Sequence, residues 1–243
     1  MQTKLSRTIV WGASGGVGLA AAKKLCHKGQ GVIAYARDIE DEGLTILAKQ
    51  FPNLIIRQFE IREEFYEEEK VYLQKAGFKI DGMVDCVGSS RSAPEASMSE
   101  RLDDMMKPNL YHQYFATLTF KDILAPGASV VFLSSIRALT GTDNQNIEYA
   151  FAKAALENMT KSLTYMLSAR RIRVNCIRPT PIIGTKISAN WPAQMIDTLT
   201  EKSVYGKLLN ADEVADVILF LLSDASRSIT GSAIDVSNGF LPI

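Results

Sequence analysis

The sequence has no excess of charge, few cysteines and no long apolar run, and each scarcity closes off a class of function. Lysine plus arginine and aspartate plus glutamate each count 27. No surplus of positive charge is present to drive binding to a phosphate backbone, so nucleic acid is not an expected partner. The three cysteines, Cys26, Cys86 and Cys176, are odd in number and scattered. They offer neither the close pairs of a zinc site nor a disulfide framework; no metal is expected, and a reducing, cytoplasmic setting is the simplest inference. After Lys4 and Arg7 the run Ile9-Val10-Trp11 ends at glycine, too short for a signal peptide or a membrane span. No repeat and no Pro/Ser-rich linker interrupts the chain. What is present is ordinary for a globular protein: 47% hydrophobic and 22% charged residues over 243 positions, a length that suits one large α/β domain or two small ones.

Apolar stretches read as strands at residues 8–11, 31–36, 53–59, 80–88, 128–133, 171–177 and 232–236, and helical patterns fall between them at 17–27, 62–76, 98–124 and 211–222. Strands alternating with helices imply a mostly parallel, seven-stranded sheet covered on both faces. The expected fold is therefore α/β, a doubly wound Rossmann-like sheet formed by residues 1–243 as a single domain, with ligands beyond the carboxyl ends of the strands. Residues 186–206, with Trp191, Met195 and Tyr205, lack a long regular pattern and read as a substrate lid. The glutamates of 62–76 read as a solvated helix face.

The first strand runs into Gly12-Ala13-Ser14-Gly15-Gly16-Val17-Gly18. This strand, turn and helix point unpaired N–H groups and the positive end of a helix dipole at the space above the turn, which suits a pyrophosphate. Glycine turns also arise for steric reasons alone, and the spacing Gly12-x-x-x-Gly16-x-Gly18 differs from the common dinucleotide fingerprint. Arg37 stands just past the second strand, where an acid would hold a ribose 2′-hydroxyl and an arginine suits a 2′-phosphate. NADP is accordingly favoured over NAD, with Asp38 either opposing a phosphate or capping the next helix.

Pro108 should kink the 98–124 helix or free a carbonyl in its preceding turn, where Asn109 can hold a water; His112 reads as a packed histidine. Ser134 and Ser135 close the fifth strand and can cap a turn. Tyr149 and Lys153, four positions apart, project from one helix face, and an ammonium beside a phenol lowers its pKa. The polar loop 138–146 can fold this helix back over the strand end, bringing hydroxyl, phenol and ammonium together. Arg91 and Arg137, on loops nearby, can hold an acidic group or serve as surface arginines.

With these residues in order, the chain resembles the short-chain dehydrogenase/reductase family over nearly its whole length. The resemblance rests on the glycine turn, the Asn109 helix, the Ser135, Tyr149 and Lys153 set, Val174-Asn-Cys-Ile-Arg-Pro179 and Ile229-Thr-Gly231. It implies reduction of a ketone or oxo group to an alcohol, or the reverse, with Tyr149 as proton donor. Ser135 would bind the substrate oxygen, Lys153 would lower the tyrosine pKa and hold the nicotinamide ribose, and Asn109 would position a relay water. It also implies cofactor contacts at Gly12, Ser14, Gly15, Gly16, Val17, Gly18, Arg37, Glu60, Ile61, Cys86, Val87, Gly88, Tyr149, Lys153, Pro179, Ile182 and Thr185. Partners would be a small carbonyl or alcohol and further copies of the chain in a homotetramer or homodimer, paired through the helices holding Asn109 and Tyr149. Departures stand at Trp11, where the family usually has threonine, at Asp85-Cys-Val-Gly88, at Thr180 and at Ser237-Asn-Gly239. The altered Asp85-Cys-Val-Gly88 and Thr180 positions motivate an alternative, a catalytically silent cofactor-binding or scaffold protein. An enoyl reductase of the same fold usually has a wider tyrosine-to-lysine spacing.

Overall fold

The computed structural model of the protein describes residues 6–90, 95–142 and 146–240. The strands, in chain order, are β1 (Ser6–Trp11), β2 (Gly31–Ala36), β3 (Leu54–Gln58), β4 (Lys79–Asp85), β5 (Leu124–Leu133), β6 (Arg173–Pro179), the short pair β7 (Ile182–Ile183) and β8 (Leu209–Asn210), and β9 (Ala233–Val236). Apart from the β7–β8 pair they form one seven-stranded sheet in the order β3-β2-β1-β4-β5-β6-β9. Every pairing in it is parallel. The chain moves outward one way from β1 and the other way from β4, so the crevice of this doubly wound sheet opens at the carboxyl ends of β1 and β4.

Successive side chains of a strand face opposite sides, and β1 shows the consequence. Val10 packs into a core with Val84, Val131 and the helices α1 (Gly16–His27), α2 (Glu42–Gln50) and, late in the chain, Ala211–Leu222. Ile9 and Trp11 pack on the other side, against α3 (Glu63–Lys75) and the helices from His112 and Ile147. The remaining helices, numbered on, are α4 (Met98–Met106), α5 (His112–Phe120), α6 (Arg137–Thr140), α7 (Ile147–Leu167), α8 (Ala193–Glu201) and α9 (Ala211–Leu222). No helix among the described residues is long and apolar enough to cross a membrane.

Several boundaries differ from expectation. Residues 98–124 are not one helix: α4 ends at Met106, a π-helical turn spans Lys107–Tyr111 around Pro108, and α5 ends at Phe120. Proline brings no N–H to the helical ladder, and the extra residue in the turn absorbs that loss. Leu124 already belongs to β5, paired with Ile80. β4 stops at Asp85 and leaves 86–88 outside the sheet. β6 starts at Arg173 because Arg171 takes a left-handed backbone, φ 54. Asp38 does not cap α2; Asp41 does, accepting from the Leu44 N–H. The 186–206 segment carries α8, which buries none of its residues. In α3 Glu63, Glu64, Glu67 and Glu68 are exposed as expected, but Glu69 is buried and accepts from Tyr35 Oη at 2.8 Å and Arg57 Nε at 3.0 Å.

Candidate active site

The glycine turn sits on the switch point because the backbones there meet closely. A Cβ on Gly18 would stand 2.2 Å from the Gly12 carbonyl oxygen, and one on Gly12 3.0 Å from the Cys86 carbonyl carbon. Gly12 and Gly16 both hold positive φ, 76 and 52. The α1 N-terminus has no side-chain cap and no acid in its first turn, so its leading N–H groups and dipole are left for an anion. The donor set fits the phosphates of a dinucleotide. Ser14 lies within the turn and Val17 in the first turn of α1, and a Cβ on Gly16 would face the Thr185 methyl at 3.4 Å.

Just past the carboxyl end of β5, Ser135 lies beside Tyr149, close enough for its hydroxyl to lower the phenol. Ser135 Oγ accepts from the Arg137 N–H at 3.2 Å. Burial pushes the Tyr149 phenol up, with the Ser135 hydroxyl and the Arg137 charge opposing it. The phenol is thus held as an acid. Lys153 is buried, donates to the Leu133 carbonyl at 2.7 Å and places Nζ 5.7 Å from the Tyr149 ring centre. Ser135 and Arg137 act to lower the tyrosine, and the Lys153 ammonium, on the same helix, is held by a strand-end carbonyl. Burial itself lowers Lys153 to about 8, opposed first by the Asp85 charge.

Serine 134, the competing candidate, is directed elsewhere. Its Oγ donates to Glu157 Oε1 at 2.8 Å, on a carboxylate that also takes Arg178 Nε at 2.7 Å and Nη2 at 2.9 Å. Asn109 is brought to the site, but its amide is occupied. Nδ2 donates to the carbonyls of Ser89 at 2.7 Å and Met105 at 2.8 Å, and Oδ1 accepts from the Ser89 N–H at 3.3 Å. With both amide hydrogens used, it braces the Ser89 backbone. A Cβ on Gly88 would fall 2.9 Å from Asn109 Oδ1 and 3.3 Å from Lys153 Nζ, so Gly88 keeps that space clear.

Of the other expected cofactor contacts, Arg37 is exposed just past β2, and its carbonyl accepts from Gln58. Glu60, beside Ile61, is exposed and ion-paired with Arg62 at 3.1 Å. Pro179 ends β6 and its carbonyl accepts from Ile136, while Ile182 pairs β7 to β8. Thr185 Oγ1 and N both bond Ser188. The Cys86 thiol is pushed up by burial and by Asp85, which keeps it protonated. Arg91 lies outside the described residues.

Three of the sequence departures have structural partners that no local pattern announces. The Asp85 carboxylate accepts from Val87 N–H at 3.0 Å and Gln113 Nε2 at 3.3 Å, and its Oδ2 lies 3.1 Å from His112 Nε2. His112 Nδ1 is 2.6 Å from Tyr66 Oη, and all four residues are closed to solvent. Trp11 stacks on Tyr35 with ring centres 3.9 Å apart and meets Phe59, Tyr66 and His112 edge-on. Thr180 is held by β9, its N–H on the Val236 carbonyl. The residues that sequence reasoning missed are thus Tyr66, Gln113, Glu157 and Arg178, each legible only once strands and helices are set side by side.

A family model described as enoyl-(acyl carrier protein) reductase matches residues 12–241. The chain is 30% identical over 242 residues to a 3-oxoacyl-[acyl-carrier-protein] reductase of Thermotoga maritima, covering 96% of both. It is 30% identical over 247 residues to an L-xylulose reductase of Caenorhabditis elegans, covering 96% of this chain and 95% of that one. An NAD-dependent glycerol dehydrogenase of Listeria innocua is 26% identical over 236 residues, covering 96% and 92%. The solved short-chain dehydrogenase/reductase of Brucella melitensis, described as glucose/ribitol dehydrogenase, shares the fold with a TM-score of 0.88 at 24% identity, over 99% of this chain and 98% of that one. With a family model spanning nearly all of it and relatives matched end to end, the chain belongs to the short-chain dehydrogenase/reductase family.

Proposed function

We propose that this protein is an NADPH-dependent oxidoreductase that reduces a ketone or oxo group to an alcohol, or runs the reverse. The observation that carries the reading is the placement of Ser135 beside Tyr149 past the end of β5, with Lys153 buried on the same helix as Tyr149. A nicotinamide bound across the switch point supplies or takes up hydride. Negative charge then grows on the substrate oxygen and needs a proton and fixed hydrogen bonds. Tyr149 Oη gives that proton; Ser135 Oγ hydrogen-bonds the same oxygen. The tyrosinate left behind is stabilised by Arg137 and by Lys153, whose pKa of about 8 keeps it charged at neutral pH. The glycine turn and the α1 N-terminus would hold the pyrophosphate, and Val87 and Gly88 would wall the nicotinamide ribose beside Lys153.

NADP is favoured because β2 ends at Ala36 and is followed by Arg37, with no acid before the arginine to take a ribose hydroxyl. The silent-protein alternative loses its motive, since Asp85 and Thr180 are each matched by local partners. A shallow apolar depression of about 550 Å³ between α5 and α7, lined by Tyr111, Tyr114, Phe115 and Met159, supports self-association of the chain through these helices. Oxidation of NADPH over a panel of ketones tests the assignment. Tyr149→Phe should retain cofactor binding and lose turnover; near wild-type reduction by that variant would sink it.

A further inference from the structure

Lys186 follows Thr185, far along the chain from the glycine turn, yet its side chain lies across that turn. Its Cε and Cδ stand 3.2 and 3.4 Å from where a Cβ on Gly15 would be. Gly15 has an extended backbone, φ 165, which any residue adopts, so what glycine provides here is room for the lysine stem. Beyond the turn, Lys186 Nζ reaches Asp41 Oδ2 at 2.9 Å. Asp41 is the N-cap of α2, just past the end of β2, the place beside an adenosine ribose in a sheet of this order. The ammonium therefore bridges the cleft from the segment after β7 to the turn that follows β2.

Glycines alone form the outer part of the turn at 15 and 16, so the turn brings no cation of its own to this corner. Asp41 would oppose a phosphate arriving there. An ammonium carries three donors; one on Asp41 leaves two, and the Lys186 side chain is 66% exposed, open to an incoming anion. We infer that Lys186 is a specificity-determining residue that binds the 2′-phosphate of the dinucleotide over Gly15 while neutralising Asp41. This deepens the NADP reading above and rests on it.

The test is the equilibrium affinity of the full chain for NADPH and for NADH, in wild type, Lys186→Met and Lys186→Arg, read by ligand fluorescence or calorimetry. Loss of one charge-assisted phosphate contact should weaken NADPH about 10- to 100-fold in Lys186→Met, with NADH changed less than about threefold. Lys186→Arg should restore the preference for NADPH. A wild type that prefers NADPH and a Lys186→Met variant that keeps the same preference would overturn the inference and leave the NADP reading standing. Equal weakening of both cofactors would overturn it too, because the lysine would then act on a group the two share. A wild type that prefers NADH defeats the NADP reading itself, and this inference with it.

Discussion

Nε2 of His112 lies 3.1 Å from Oδ2 of Asp85, with both side chains closed to solvent. Burial and the nearby Asp85 push the Tyr66 phenol up, so it stays protonated and donates to His112 Nδ1 at 2.6 Å. That leaves the ring proton on Nε2, facing the carboxylate. Asp85 in turn holds the Val87 N–H, so the chain of contacts ends at the backbone proposed to line the cofactor. Asp85→Ala strands these buried donors and should cost about 2–4 kcal/mol. Asp85→Asn keeps an acceptor for Val87 and should cost less than half as much. Denaturant unfolding of both variants checks this; equal costs would mean that Asp85 acts only by filling space.

Trp11 occupies the family's threonine position, and its ring is fully buried among Tyr35, Phe59, Tyr66, His112 and Phe120. Restoring threonine would leave a cavity that the rigid β1–β2 pair cannot collapse around. The expected cost of Trp11→Thr is about 3–5 kcal/mol, a fall in Tm of about 10 °C for a chain of this size. A thermal melt within about 2 °C of wild type would show that the aromatic cluster repacks freely.

Lys153 is a buried cation whose folded-state pKa, about 8, lies below its ordinary 10.5. Between those values the unfolded chain binds more protons, so stability rises with pH across the window. The penalty is full below pH 8 and is relieved as pH climbs towards 10.5. Lys153→Met removes it but leaves the Leu133 carbonyl without its donor. The variant should be about 2 kcal/mol more stable at pH 7 and inactive, with its advantage shrinking above pH 8. An advantage independent of pH would mean that burial of the charge is not its source.

How much of this was legible from residues alone follows distance along the chain. The doubly wound fold and the glycine turn show in local periodicity, and the Tyr149–Lys153 pair shows in a helical spacing. Asp85 and His112 meet only because α5 packs on the face of the sheet beside β4, which no local pattern encodes. Lys186 and Asp41 are 145 positions apart. Asp38 and Asp41 are equal candidates for a cap by residue type; backbone conformation chose the second. Glu69 looked like its exposed neighbours until Tyr35 and Arg57 closed over it, and Asn109 reaches the backbone carbonyls of Ser89 and Met105 from a π-turn that a proline signals only as a break.

Adjacent serines with different partners give the sharpest separation of chemistry from scaffold. Ser134 Oγ donates to a Glu157 carboxylate that Arg178 already holds through two nitrogens, so Ser134→Ala removes one of three donors and leaves no charge unpaired. It should cost about 1 kcal/mol of stability and leave kcat/KM within about threefold of wild type. Ser135 lies beside Tyr149, where its hydroxyl lowers the phenol, at the position proposed for the reacting oxygen. Ser135→Ala should leave stability nearly unchanged and lower kcat/KM about 10²- to 10³-fold, the usual loss for one donor aimed at a developing oxyanion. Steady-state rates and unfolding curves on the two variants decide it. Because the serines are neighbours on one strand end, a shared loss of rate would trace to the backbone there, and the assignment of Ser135 to the oxygen would fall.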